Sequence, residues 1–158
     1  MDGYHALKLI HVVSASILFG TGIGTAFFML RGYLGGNREA FAVTARNVVL
    51  ADWLFTTPAV IVQFVTGLWL AGILGVPLGS LWFALVIGLF VVVGLCWIPV
   101  VVIQVRIRAA MREGRAIEEI RPLMRAWVAL GIPAFVCMLA LYFLMVTKHG
   151  LGTILFRG

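Results

Sequence analysis

Three runs without a charged residue limit what this chain can fold into. They are 22, 53 and 22 residues long and lie between Lys8 and Arg31, between Asp52 and Arg106, and between Arg125 and Lys148. A helix needs about 20 apolar residues to cross the roughly 30 Å hydrocarbon core of a bilayer. The middle run is long enough for two crossings, and a cluster of Gly, Pro and Ser at 72–80 predicts the loop between them. The chain is therefore expected to span a membrane four times.

The predicted fold is an all-α bundle of four transmembrane helices, in a single domain that takes in residues 1–158. The helices are placed at about 5–33, 41–73, 81–112 and 119–148. Strands of a membrane barrel would alternate apolar and polar residues, whereas runs such as ALVIGLFVVVGL are apolar throughout. Prolines 58, 99 and 133 fall inside the last three helices, so these helices are predicted to be bent.

The distribution of positive charge predicts the orientation in the membrane. The first and third loops hold nine arginines, the second loop holds none, and the two tails hold three Lys and Arg. Because positively charged loops stay on the cytoplasmic side, both termini are predicted to lie outside a bacterial inner membrane. The net charge of +6 is explained by this topology and by anionic lipids of the inner leaflet, so no nucleic-acid partner is expected.

His11 lies within the first charge-free run, where an ionisable side chain is costly. At helical spacing it shares a face with Ser14, Ala15 and Gly22, and these small residues could hold a planar ring system against the helix. Imidazole is a common axial ligand of haem iron. One prediction is therefore a haem b site near the outer side, with His11 as the iron ligand. Three residues near the outer end could complete it: Lys8, Met145 and His149.

Two other interpretations of His11 stay open. A copper or zinc site would combine it with His5 and His149, although His5 and His11 are six residues apart and point in different directions from one helix. Alternatively, His11 binds no ligand and forms hydrogen bonds across the bundle.

Several segments carry a resemblance to known proteins. LKLIHVV, DWLFTTPAVIVQFVTGLWLA, LCWIPVVVIQ and RAWVALGIPAFVCMLALYFLMVTKHG resemble an uncharacterised family of predicted bacterial integral membrane proteins, over nearly the whole chain.

A more distant resemblance is to the four-helix membrane protoporphyrinogen oxidases, which bind haem b. It rests on Tyr4 followed by K-x-x-H, on the T-T-P motif at 56–58, and on Trp82 at the start of the third helix. The resemblance implies that His11 is an axial haem ligand in a membrane oxidoreductase that serves electron transfer or oxidation. Leu85 stands where that family has a lysine, so the chain departs from the family pattern there.

Two further functions are compatible with the residues. Little chain lies outside the membrane, and Gly20 and Gly24 form a G-x-x-x-G motif that lets another helix approach closely. These features suggest a homo-oligomer or a non-catalytic accessory subunit of a respiratory or photosynthetic complex. A small transporter or a binder of a lipophilic molecule would instead use Gln63, Thr66 and Gln104 as interior polar contacts.

Asp52 lies near the inner membrane boundary. A carboxylate at this depth normally faces protein and pairs with a cation. The expected partner is Arg31, Arg106 or Arg108.

Overall fold

The computed structural model describes residues 2–147 and is helical throughout this part of the chain. Four segments are long and apolar enough to cross a membrane: Gly3–Leu34, Arg38–Ile73, Leu81–Arg112 and Ile117–Val146. The predicted all-α fold with four membrane-spanning helices is confirmed. His149, one of the predicted ligands, lies outside the described residues.

The helices are numbered in chain order. They are α1 (Gly3–Leu34), α2 (Arg38–Ala51), α3 (Thr57–Ile73), α4 (Leu81–Arg112) and α5 (Arg121–Val146). A π-helical segment, Asp52–Thr56, continues α2 into α3, so that the two form the second span. A short 3₁₀ helix, Ile117–Ile120, leads into α5.

Turn chemistry fixes where the helices begin and end. Asn37 and Ser80 cap α2 and α4, and each side-chain oxygen accepts a hydrogen bond from the backbone N–H three residues later, at 2.9 Å and 3.3 Å. Gly36, Gly75 and Gly114 adopt positive φ values of 69°, 60° and 83° in the three loops. Glycine alone takes this conformation without steric cost, which lets the chain leave each helix abruptly.

The buried core lies at one end of the bundle, beside the α1–α2 and α4–α5 connections. Its members come from the end of α1, from α2, from the second half of α4, from the 3₁₀ helix and from the first turns of α5: Met29, Phe41, Ala45, Val48, Val100, Ile103, Ile107, Ala110, Met111, Ile120, Met124 and Trp127. Arg38 links α2 to the end of α4 and to the loop that follows it. Its guanidinium donates hydrogen bonds to the carbonyl oxygens of Met111 and Arg115, at 3.0 Å and 3.1 Å. By the distribution of arginines, this is the predicted cytoplasmic end.

Towards the other end the helices associate mainly as two pairs, α1 with α3 and α4 with α5. Aromatic rings bridge the pairs. Phe19 of α1 lies 5.7 Å and 5.2 Å from Phe135 and Tyr142 of α5, and Phe64 of α3 lies 5.6 Å from Phe90 of α4, measured between ring centroids. The bundle is therefore tightly packed at its predicted cytoplasmic end and linked by a few large side chains in the opposite half, which we call the outer half.

The π-helical segment lies directly before Pro58. Proline lacks an N–H, and its ring clashes with the carbonyl four residues earlier in a regular α-helix. Here the helix widens instead, and the N–H of Thr57 donates to the carbonyl oxygen of Asp52, five residues back. Pro99 and Pro133 lie inside α4 and α5, which continue through them as helices.

Candidate functional site

His11 lies where α1 packs against α3, and both of its ring nitrogens have partners on α3. Nδ1 lies 2.8 Å from Oγ1 of Thr66, and Nε2 lies 3.0 Å from Nε2 of Gln63. The imidazole is thus half-buried in the helix interface, in the outer half of the bundle.

The partners of Thr66 favour one tautomer of His11. The hydroxyl of Thr66 lies 2.6 Å from the carbonyl oxygen of Val62 and is placed to donate to it. A hydroxyl has a single hydrogen, so in this pattern Thr66 accepts from Nδ1–H of His11, and the lone pair on Nε2 accepts a hydrogen bond from the Gln63 amide. The pattern therefore predicts a neutral imidazole protonated at Nδ1; in the other tautomer the Thr66 hydroxyl would donate to Nδ1 instead.

Ser14, one turn farther along α1, also contacts Gln63. Its buried hydroxyl lies 2.6 Å from Oε1 of Gln63 and 2.9 Å from the carbonyl oxygen of His11. We call His11, Ser14, Gln63 and Thr66 the α1–α3 polar network. Every side chain in it has a protein partner, which matters because an unsatisfied polar group in a membrane interior costs several kcal/mol.

Helical spacing explains why these four side chains meet. His11 and Ser14 are three residues apart on α1, and Gln63 and Thr66 are three residues apart on α3, so each pair lies on one helix face. Gly67 completes the fit, since a Cβ there would lie 3.2 Å from Cε1 of His11. The absence of a side chain at Gly67 lets the imidazole lie against the α3 backbone.

The other described residues predicted for a haem site differ in exposure. Lys8 and Gly22 are exposed, Ala15 is half-buried, and Met145 near the end of α5 is 42% exposed. Of the predicted residues that the structure describes, Ser14 shares a hydrogen-bond network with His11. Gln63 and Thr66, predicted as interior polar contacts of a transporter or a binder of a lipophilic molecule, hydrogen-bond to His11; their three-residue spacing, which matches that of His11 and Ser14, is the sequence signal for this contact.

In this arrangement the network does not fit a haem. An iron ligand must offer the Nε2 lone pair, which here accepts from Gln63, and the ring is packed on Gly67. His5, considered for copper or zinc, lies beside Asp2 instead, with 3.6 Å between Nδ1 and Oδ2. Within residues 2–147, no three His, Cys, Asp or Glu side chains form a group that could hold a metal ion.

A second polar cluster lies near the cytoplasmic end, around Asp52. Its carboxylate is buried and accepts a hydrogen bond from the Thr56 hydroxyl at 2.8 Å, and the Gln104 side chain of α4 lies near it. Gln104 therefore belongs here and not with Gln63 and Thr66, which separates the predicted interior polar path into two clusters.

The predicted ion pair of Asp52 is wrong for the described part of the chain. Its carboxylate has no Lys or Arg partner within 4.0 Å there. Arg31 and Arg106 are exposed to the surroundings of the bundle, and the Nε atom of Arg108 is buried without a hydrogen-bond partner among the described residues.

Comparison with known proteins agrees with the membrane fold. The sequence profile of a family described as predicted integral membrane protein (DUF2269) matches residues 5–149. No curated protein and no solved structure matches the chain.

A double-mutant cycle tests the bond between His11 and Thr66. We expect His11→Ala and Thr66→Val each to destabilise the protein and to be coupled by about 0.6–1.7 kcal/mol, the range measured for hydrogen bonds between membrane helices. The measurement is the free energy of unfolding in mixed detergent micelles. Thr25→Val is the matched control, because Thr25 donates only within α1, to Thr21 and Gly22; combined with His11→Ala it should be additive. Additivity of His11→Ala with Thr66→Val would contradict the network.

Proposed function

Because the chain belongs to this family of predicted integral membrane proteins, we propose that it is a multi-pass protein of the bacterial inner membrane that packs against other transmembrane helices. It would do so as a homo-oligomer or as a non-catalytic subunit of a larger membrane complex. The observation that carries this proposal is the open packing of the outer half of the bundle.

The membrane-spanning helices bury little of their surface within one chain. In the most apolar 18-residue window of each span, 17%, 28%, 11% and 0% of the residues are buried, in chain order. Lipid can cover apolar faces as well as protein can, so exposure alone does not distinguish the two. The distribution of small residues on these faces does.

Seven glycines on α1, α4 and α5 have open space beside their backbone. Among the described residues, a Cβ built at any of them would meet no atom within 4 Å: Gly3, Gly20, Gly22, Gly24, Gly88, Gly94 and Gly131. Glycine is enriched where membrane helices contact one another, because it lets the backbones approach closely. Gly20 and Gly24 lie one turn apart on α1, so they offer a continuous shallow groove to a helix from outside the chain.

The polar groups of the outer half support the same proposal. The α1–α3 polar network satisfies its members internally. Such a network strengthens a helix pair, because each of its side chains loses a partner when the helices separate.

Substitution of the glycine groove tests the packing role. We expect Gly20→Leu with Gly24→Leu to reduce association at least tenfold and to leave the unfolding temperature of the single chain unchanged, since a Cβ at either position would meet no atom of the described residues within 4 Å. Native mass spectrometry and cross-linking in native membranes measure association. Gly72→Leu, on α3 and equally free of neighbours, is the control. Recovery of the wild-type protein as a single chain in every mild detergent and in membranes would contradict the proposal.

Haem b binding through His11, with a role in electron transfer or oxidation, is the competing proposal. One observation favours it: Nε2 is the unprotonated ring nitrogen, and Thr66 holds Nδ1–H, the arrangement that orients metal-ligating histidines. Haem binding would require the Gln63 amide to leave Nε2.

A visible spectrum decides between the two proposals. We expect protein purified from haem-supplemented cells to show no Soret band, because Gln63 occupies the position that iron would need. A band that is lost in His11→Ala, retained in the His5→Ala control and strengthened in Gln63→Ala would establish haem binding and contradict a purely structural role for His11.

A further inference from the structure

The Asp52 cluster carries an inference that is independent of the proposed function. The carboxylate of Asp52 is only 5% exposed and lies within a membrane-spanning segment. Burying an uncompensated charge costs several kcal/mol even after the surroundings relax. A positive charge close to the carboxylate would remove most of this cost.

The charged side chains on the surrounding helices do not supply that charge. The π-helical segment contacts α1 and continues α2 and α3 along the chain, and α3 contains no charged residue. Arg31 of α1, Arg46 of α2 and Arg106 of α4 are exposed. Arg108 of α4 is half-buried, and its Nε atom is buried without a hydrogen-bond partner among the described residues. None of them lies within 4.0 Å of the carboxylate.

Gln104 provides the second, independent observation. Its side chain reaches Asp52 from α4 and is 3% exposed, yet its Oε1 atom has no hydrogen-bond partner among the described residues. A buried acceptor without a partner costs about 1–3 kcal/mol. Such an oxygen is satisfied either by a donor or by a cation.

The oxygens in the cluster are suited to a hard cation of low charge. Asp52, Thr56 and Gln104 offer carboxylate, hydroxyl and amide oxygens, which suit alkali and alkaline-earth ions and not soft transition metals. Calcium sites normally gather several carboxylates, whereas Asp52 is the sole carboxylate here. One positive charge balances one carboxylate.

The backbone is irregular at the same place. The π-helical segment starts at Asp52 and precedes Pro58. Membrane proteins commonly bind sodium where a transmembrane helix departs from regular α-helical geometry near polar side chains.

We propose that Asp52, Thr56 and Gln104 form a binding site for one monovalent alkali cation at the cytoplasmic end of the second span. The cation ties the π-helical segment to α4 through Gln104. Cation binding therefore stabilises the contact between the two helix pairs.

The test is the unfolding temperature of the full-length protein in nanodiscs, titrated with NaCl or KCl against choline chloride at equal ionic strength. A ligand that binds only the folded state should raise this temperature by roughly 3–5 °C for each tenfold increase in concentration above its Kd. We expect that slope for at least one alkali ion in the wild type, its loss in Asp52→Asn, and its retention in Glu118→Gln, which neutralises an exposed carboxylate at the same end.

Three results would overturn the proposal. The first is an equal response of the wild type to alkali and choline salts, which needs no variant. The second is a slope that survives Asp52→Asn. The third is an infrared carbonyl band of a neutral carboxylic acid that is lost in Asp52→Asn and unaffected by Na⁺ or K⁺, which would show that a proton holds the place of the cation. If Asp52→Asn fails to fold, saturable line broadening of ²³Na or ³⁹K resonances by the wild type decides the question.

Discussion

An imidazole inside a membrane span needs partners for both ring nitrogens, and here one helix supplies them both. Thr66 and Gln63 of α3 bind Nδ1 and Nε2 of His11, while Ser14 orients the Gln63 amide. Apolar side chains contact lipid as favourably as they contact one another, so they do little to specify which helices pair. Polar groups that lose their partners on separation do specify it. The α1–α3 polar network therefore fixes the register of α1 on α3, and Gly67 allows the close approach that the register demands.

The second span carries polar side chains at two depths. Asp52 lies near Gln104 at the predicted cytoplasmic end, and Gln63 and Thr66 contact His11 about 20 Å farther along the helix. Asp52 and Thr56 are the first and last residues of the π-helical segment, and Pro58 lies between the two groups. The span thus connects to α4 at its inner end and to α1 at its outer end, which agrees with a compact cytoplasmic core and an outer half built from separate helix pairs. The openness of that outer half underlies the proposal that other helices complete it.

Much of the architecture followed from the sequence because lipid imposes simple rules. Charge-free runs of sufficient length have to be helices, and the observed break between Ile73 and Leu81 falls where Gly, Pro and Ser cluster. The partners of His11 could not be predicted in the same way, since they depend on the rotation of α1 relative to α3. The absence of an ion pair at Asp52 could not be predicted either, because it depends on where the side chains reach. Arg108 lies at a similar depth in the membrane, but it does not reach the carboxylate. Pro58 signalled a disturbed helix, yet only the structure shows that the helix widens before it.

The protonation of His11 tests the account most directly. Solid-state ¹⁵N NMR of the imidazole in lipid bilayers distinguishes the two neutral tautomers, the imidazolium and a metal-bound ring. The α1–α3 polar network predicts a neutral ring with the proton on Nδ1 and a hydrogen-bonded, unprotonated Nε2, and it predicts that Thr66→Val perturbs the Nδ1 signal while Thr25→Val does not. A proton on Nε2, a doubly protonated ring or a metal-shifted Nε2 signal would contradict the network and the structural role assigned to His11.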